Sequence, residues 1–477
     1  MPPETFESLG RDLLHWITRH LDSADTRPVA APVAPGDIHR RFPASPPEHG
    51  QSLAELPREL DDLVVPGLTG WQSPNWFAYF PCNHSYPSIL GELLSAGLGV
   101  QGMLWATSPA CTELESLMLD WSLEAFGLPD RFRTMPRDPN GPPCAGGGVV
   151  QDTASSATFC ALLAARDRAT DGAAGRDGVA ACPPLVAYTS EHAHSSVEKA
   201  CTMSGIGRAN LRLVPSDPDT FAMDVDALAA MMAADAAAGR LPFFVCATCG
   251  TTSSGAVDPT ARIVDVAREH GAWVHLDGAM FGVAAICPEF RWTLDGADGC
   301  DSICVNPHKW MFTNFDCDLF WVADRRALTR AMGVMPEYLR NAPTESGQVI
   351  DYRDWQVPLG RRFRALKLWL VYRHYGLEGI RQAFREHVAM AQEFADMIDA
   401  DDDWTRVAPS PLSLVCIRHR DGDERTKRIL DAINAGGDAM LSHTKLHDQY
   451  VIRVSIGATR TRHEHVQRLF EILRSRG

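Results

Sequence analysis

The 477-residue chain has no apolar run approaching the roughly 20 residues that span a bilayer. Nor has it an excess of positive charge: 45 Lys and Arg against 60 Asp and Glu leave a formal net charge of −15. That is the wrong sign for a nucleic-acid-binding surface, and neither nucleic acid nor membrane is an expected partner. Its glycine-rich segment GGGVVQDTASS is neither GxxxxGK[ST] nor GxGxxG, so ATP- and dinucleotide-binding readings lack their motifs there. It has no internal repeat, and only the Ala-rich stretch 227–239 approaches low complexity. The 13 cysteines are an odd number scattered among apolar residues, which excludes a disulfide-stapled scaffold and points to a reducing, cytoplasmic compartment. Cys246 and Cys249 form a CxxC, but no second ligand pair accompanies them and they close a strand, so they read as structural thiols and no metal site is expected.

What remains is an ordinary globular composition, 45% hydrophobic and 22% charged, with enough chain for two or three folding units. Residues 1–22 and 51–64 read as amphipathic helices joined by a Pro-rich stretch. The first has the mixed charge of a helix rather than of a signal peptide. Such an arm cannot bury its apolar face alone and should pack on something else, a second subunit being one choice. An aromatic segment, WQSPNWFAYFPCNHSYPSILGELL, follows as a pocket wall or interface. Strands are predicted at 184–190, 211–215, 242–248, 272–277, 302–306 and 318–324, alternating with helices. That alternation means an α/β fold with a mostly parallel sheet covered on both faces, its site at the C-terminal strand ends. The expected division is an N-terminal helical segment (1–95), a large domain (96–375) and a small C-terminal α/β domain (376–477) whose first helix covers 377–399.

Three segments converge on one chemistry. AWVHLDGAM sets Asp277 at the end of an apolar strand, where a carboxylate needs a cation or hydrogen bonds; an Arg partner or a helix cap would serve as well as a cofactor. In NPHKWMF, Lys309 sits in apolar company, either snorkelling or engaged as an amine of lowered pKa able to form a Schiff base with an aldehyde. GGGVVQDTASSATFC places Thr153, Ala154, Ser155 and Ser156 at the start of a helix, an anion cradle or simply a capped core helix. Together, an aldehyde acceptor, a carboxylate for a ring cation and a phosphate cradle are the grips needed for pyridoxal 5'-phosphate (PLP).

Around these residues the chain resembles the aromatic-L-amino-acid decarboxylase family, the group II PLP-dependent amino-acid decarboxylases. The resemblance covers nearly its whole length and is most specific in NPHKW, SPACTELE (108–115), AYTSEHAHSSVEKA (187–200) and DYRDWQVPLGRRFRALKLW (351–369). It implies fold type I, the aspartate aminotransferase-like architecture, and a homodimer with its site at the subunit interface. It further implies that Lys309 carries the cofactor, that Asp277 pairs with the pyridine nitrogen, and that His194 stacks on one ring face and helps protonate the substrate intermediate. Ala279 packs on the other face, Thr153, Ala154, Ser155 and Asn306 hold the phosphate, and Thr248 and His308 flank the cofactor.

The same resemblance implies decarboxylation of an L-amino acid to amine and CO2. Residues 333–355 read as a lid carrying Tyr338, the family's proton donor to Cα; relatives with Phe there, or Asn at the stacking His, consume oxygen and release an aldehyde. Tyr338 and His194 are both present, which favours the amine. Trp71, Tyr79, Phe80 and Pro81 form an implied aromatic pocket wall, Gln101 and Met103 reach in from a partner subunit, and Gly360 leaves room for catechol or indole rings. Cys82, Asn83, His84, Gln101 and Met103 depart from the familiar animal enzymes, as do Gly278, Met280 and Phe281. The departures leave the chemistry intact but open the substrate to Trp, Phe or a non-aromatic amino acid.

Overall fold

A computed structural model describes residues 1–138, 141–334, 341–345 and 349–476. The chain divides into two compact units, Cys82–Ala389 with Ala408–Leu414, and Met1–Pro81 with Met390–Val407 and Val415–Gly477. The expected boundaries lay after 95 and 375; here the N-terminal arm and the C-terminal domain fall in one unit. The reason is backbone pairing: the Phe77 N–H donates to Met440 O (2.9 Å), its carbonyl accepts from Ser455 N–H (2.9 Å), and Val29 N–H donates to Gly437 O (2.9 Å).

The larger unit is built on a seven-stranded sheet: β1 (Gly147–Gln151), β2 (Leu185–Ser190), β3 (Leu211–Val214), β4 (Leu241–Thr248), β5 (Trp273–Asp277), β6 (Ser302–Val305) and β7 (Asp318–Val322), in the order β1-β7-β6-β5-β4-β2-β3. All six strands read from the sequence are present. β1 was not read, because GGGVVQ offers only a short apolar stretch; its glycines are required by packing, since a Cβ at Gly148 would sit 2.6 Å from the Trp321 ring. β2 to β6 run parallel and β7 alone is antiparallel to its neighbours β1 and β6. β2 and β5 are buried at every position, as expected of a sheet covered on both faces. The helix Ala154–Ala169 lies across the face that bears His275, with Thr158 Oγ1 3.4 Å from His275 Nε2. The helical stretch Ala365–Asp399 breaks at Gly376 (φ 61°, ψ 175°), so a helix restarts at 377 as the sequence predicts.

The smaller unit holds a four-stranded sheet of β8 (Trp404–Arg406), β9 (Leu414–His419), β10 (Ser442–Leu446) and β11 (Gln449–Ser455), ordered β10-β11-β9-β8. β10 and β11 form a two-residue hairpin at His447 and Asp448, both at positive φ (50° and 61°), the turn that matches strand twist. Its core packs Phe394, Trp404, Ile417, Ile452 and Leu469.

Candidate active site

Because β7 runs against its neighbours, its first residue lies at the same sheet edge as the last residues of β4, β5 and β6. Register sets Thr248 beside Asp277 and Asp277 beside Cys304, so the three side chains share one face. Asp277 is buried; its Oδ1 accepts the Ala279 N–H at 3.0 Å and lies 3.8 Å from Cys304 Sγ. The next residue, Gly278, donates its N–H to Cys304 O (2.9 Å), and a Cβ there would meet that carbonyl at 3.1 Å. Thr248 is held through its backbone: Asp258 Oδ2 accepts the Thr248 N–H (2.8 Å) while Oδ1 accepts that of Met223 (2.8 Å). Burial pushes the Asp258 carboxyl up to about 6 against the pull of those two bonds.

Lys309 projects from the short helix Pro307–Trp310 that follows β6. Its N–H donates to Asn306 O (3.0 Å), and Asn306 N–H reaches Ala279 O (3.3 Å), tying this turn to the one after Asp277. On either side of the lysine, His308 Nδ1 accepts the Cys317 N–H (2.9 Å) and Trp310 Nε1 donates to His387 Nδ1 (2.9 Å) while stacking on Phe384 (4.7 Å). Burial, with the Lys309 charge adding to it, pushes His308 down to about 3, so the ring is neutral and its Nε2 carries the proton. His194, in the loop after β2, accepts the Ser196 N–H on Nδ1 (3.1 Å), which likewise leaves the proton on Nε2. The crowding protein lowers the His194 pKa, Lys309 lowers it further and Asp277 opposes both, so the three groups act on one another. His194 is exposed.

At the same edge, Thr153 caps the helix Ala154–Ala169 without a side-chain cap bond, its own N–H being taken by Asp152 Oδ1 at 2.6 Å. The first N–H groups of Ala154 and Ser155 have no intrahelical acceptor, as at any helix start. Two buried polar atoms nearby, Thr248 Oγ1 and Asn306 Oδ1, have no hydrogen-bond partner among the described residues. An amine, a carboxylate, open helix N–H groups and two waiting polar atoms fit an aldehyde-bearing, ring-protonated phosphate ester, which is PLP.

The model of the pyridoxal-dependent decarboxylase conserved domain matches residues 35–420. The chain belongs to this family. It is an amino-acid decarboxylase that uses PLP. Over 99% of its length it is 40% identical to phenylacetaldehyde synthase of Arabidopsis thaliana, covering 96% of that protein, and 40% identical to tyrosine decarboxylase 2 of Narcissus pseudonarcissus, covering 94%. A crystal structure of Oryza sativa TDC with PLP and tryptamine superposes with a TM-score of 0.95 at 39% identity, over all of this chain and 98% of that one. The expected PLP-decarboxylase α/β architecture is thus the one found.

Of the residues expected to line the decarboxylase's pocket, Trp71, Tyr79, Phe80 and Pro81 lie in the smaller unit. Trp71 packs on Trp76 (4.1 Å between centroids) and Tyr79 (5.9 Å), and Phe80 lies under the Arg453 guanidinium at 5.1 Å. Cys82, His84, Gln101, Met103 and Gly360 lie in the larger one. There, Gln101 Oε1 accepts the Arg361 N–H (2.8 Å) and Met103 O accepts that of Arg353 (3.0 Å), so 101–103 is fastened to 353–361 of its own chain. Met280 and Phe281 are buried, Phe281 against Gly250, so these two departures lie in the core. Cys246 and Cys249 are fully buried, and burial raises both thiols. Tyr338 lies outside the described residues.

Three carboxylates of the decarboxylase's site region were not singled out from the sequence. Glu115 and Arg361, from two separately noted motifs, form an ion pair of 2.6 Å with both side chains at 0% exposure. Glu115 also accepts the Val150 N–H (2.8 Å) and Arg361 donates to Val150 O (3.0 Å), so the pair clamps β1 just before the turn that leads to Thr153. Asp258 is the second. The third, Asp318, opens β7 fully buried. Its signal in the sequence, an acid abutting the apolar run LFWV, is the one that marked Asp277.

Proposed function

We propose that this decarboxylase converts an aromatic L-amino acid to its amine and CO2, with Lys309 accepting the cofactor aldehyde and Asp277 holding the pyridine nitrogen protonated. The observation that carries the assignment of roles is the grouping of Lys309, Asp277 and His194 at one sheet edge beside the unpartnered Thr248 Oγ1 and Asn306 Oδ1. Bound PLP supplies the sink for the electron pair left at Cα when CO2 departs. Thr153, Ala154, Ser155 and Asn306 would hold its phosphate, and Ala279, Thr248 and His308 would fix its ring. Neutral His308, with its proton on Nε2, flanks the cofactor as a hydrogen-bond donor rather than as a competing cation. His194 would lie against the cofactor ring and would donate its Nε2–H to the substrate carboxyl.

Aromatic preference is supported by the Trp71–Trp76–Tyr79 stack and by relatives named for tyrosine and tryptophan; Phe80, Pro81, Cys82, His84, Gln101, Met103 and Gly360 are the further substrate-contact candidates. Tyr338 supplies the Cα proton that makes the product an amine. The second reading, oxidative release of an aldehyde, is favoured by the likeness to proteins named as aldehyde synthases, at 40%, 38% and 36% identity. A homodimer is supported by the helix Tyr86–Leu98, which exposes Leu90, Leu93, Leu94 and Leu98 by 46–59% along one face. The 13 free cysteines support a cytoplasmic location. The test is product analysis by mass spectrometry on the PLP-loaded protein with Trp, Phe, Tyr, dihydroxyphenylalanine, Val, Leu and Glu. Amine from an aromatic substrate is expected; aldehyde with peroxide moves the protein to the oxidative branch, and product from Val, Leu or Glu alone overturns the aromatic preference.

A further inference from the structure

A line of polar side chains crosses one buried face of the seven-stranded sheet, and the roles assigned above use only its last member. Alternation along β5 puts Trp273, His275 and Asp277 on that face. Register sets Ser302 of β6 beside His275, and Cys304 beside Asp277. All five are buried, His275 between the rings of Phe244 (6.2 Å) and Phe320 (6.1 Å). In that core the polar groups meet one another. Ser302 Oγ lies 2.7 Å from Trp273 Nε1 and 2.9 Å from His275 Nδ1. Cys304 Sγ lies 3.7 Å from His275 Nε2 and 3.8 Å from Asp277 Oδ1, both within the longer reach of a thiol.

The charge states and the two ends of the line set the direction of each bond. Burial pushes His275 down to about 4 against the pull of Asp277 and Ser302, so its ring is neutral. Burial, with the Asp277 charge adding to it, raises the Cys304 thiol well above its usual range, so the thiol keeps its proton. A carboxylate only accepts, and Asp277 therefore takes the Cys304 S–H. The sulfur in turn accepts from His275 Nε2–H, a proton shared with Thr158 Oγ1 at 3.4 Å. Nδ1 of the neutral ring is then an acceptor and takes the Ser302 O–H. An indole N–H only donates, so Trp273 supplies Ser302 Oγ and closes the line. At that far end the Trp273 ring is covered by the Arg168 guanidinium (4.6 Å), which Asp301 holds at 2.6 Å.

We propose that His275 and Cys304 are positioning residues for Asp277: the line ends as a thiol donor on Oδ1, which with the Ala279 N–H fixes the carboxylate so that Oδ2 is offered to the pyridine nitrogen. A thiol is a weak donor, so it orients the carboxylate while leaving it basic enough to hold the ring proton. The inference rests on the reading of Asp277 as the partner of that nitrogen.

The test uses PLP labelled with ¹⁵N in its ring and bound to the whole chain; the chemical shift reports how far that nitrogen is protonated. Cys304→Ala removes the thiol. It should move the shift toward that of the unprotonated ring and weaken PLP binding roughly tenfold, measured by adding PLP to cofactor-free protein. Ser302→Ala cuts the line two links further on and should move both readouts the same way by less. In the double variant the second cut should add nothing, whereas independent structural effects would sum. An unmoved shift in Cys304→Ala, or additive effects in the double variant, overturns the proposal. Should Cys304→Ala not fold, Ser302→Ala decides alone, and a wild-type shift there overturns it. Asp277→Asn is the control: a ring that stays protonated in it fails the reading of Asp277. A ring that loses its proton in Asp277→Asn and keeps it in Cys304→Ala fails this inference alone.

Discussion

The edge of the seven-stranded sheet and the aromatic segment from Trp71 to Tyr79 are both rich in groups able to bind, and they are built in opposite ways. At the sheet edge each group comes from the end of a buried strand or from a turn locked by backbone bonds: Asp277 through Ala279, Lys309 through Asn306 and His308, Thr248 through Asp258. In the aromatic segment the groups are larger, and while Trp76 and Phe77 are buried, Trp71 at its start and Tyr79 at its end are exposed. Tyr79 is 55% exposed, sits at φ 53°, and is held by its backbone, whose N–H donates to Ser442 Oγ (2.9 Å) and whose carbonyl accepts from Arg453 (3.2 Å). The contrast teaches that, on the roles proposed above, the reacting groups sit on rigid elements while Trp71 and Tyr79, assigned to the choice of amino acid, keep exposed side chains.

Breaking the rigid edge at its centre should have the largest effect. Lys309→Ala is expected to abolish turnover and the visible absorbance of bound PLP while leaving the circular dichroism of the folded chain intact; retained turnover would remove the lysine from its role. Next comes the clamp on β1. Arg361→Ala strands Glu115 as a buried, unpaired charge, and denaturant midpoints should report a loss of about 3–5 kcal/mol. A loss under about 1 kcal/mol would mean that the pair does not hold the strand.

The edge should also carry a pH signature that the aromatic segment lacks. His308 has a folded value of about 3, below the 6.5 of an unfolded chain, so protons favour unfolding. Its stabilising contribution is complete above pH 6.5 and is lost as pH falls toward 3, at about 1.4 kcal/mol per pH unit. Urea midpoints at pH 7 and 5 should therefore converge in His308→Gln by about 2 kcal/mol relative to the wild type, with Gln able to accept the Cys317 N–H. The smallest effect belongs to specificity. A Cβ at Gly360 would lie 3.1 Å from Gln101 Nε2, so Gly360→Ser must push that amide aside. The kcat/KM ratio of Trp to Tyr should change by roughly tenfold with kcat on the better substrate nearly kept. An unchanged ratio would place Gly360 outside the pocket.

Much of this was legible in the chain. Six of the seven strands announce themselves as short apolar runs closed by polar residues, and Asp277 and Lys309 stand out because each ends or follows such a run. β1 was hidden because its glycines serve the Trp355 and Trp321 rings and not its own hydrophobic pattern. Glu115, Asp258 and Asp318 were hidden for a related reason: an acid has no periodicity, and its meaning lies in what it meets. The PLP chemistry, the parallel sheet and the helix restart at 377 were decided locally, by residue type and spacing along the chain. The pairing of Glu115 with Arg361, 246 positions apart, and the meeting of His308 with Cys317 were decided only by the fold. Burial is a property of the packed chain, and with the charges of Asp277 and Asp152 it raises the pKa of a carboxyl such as Asp318 well above the usual range.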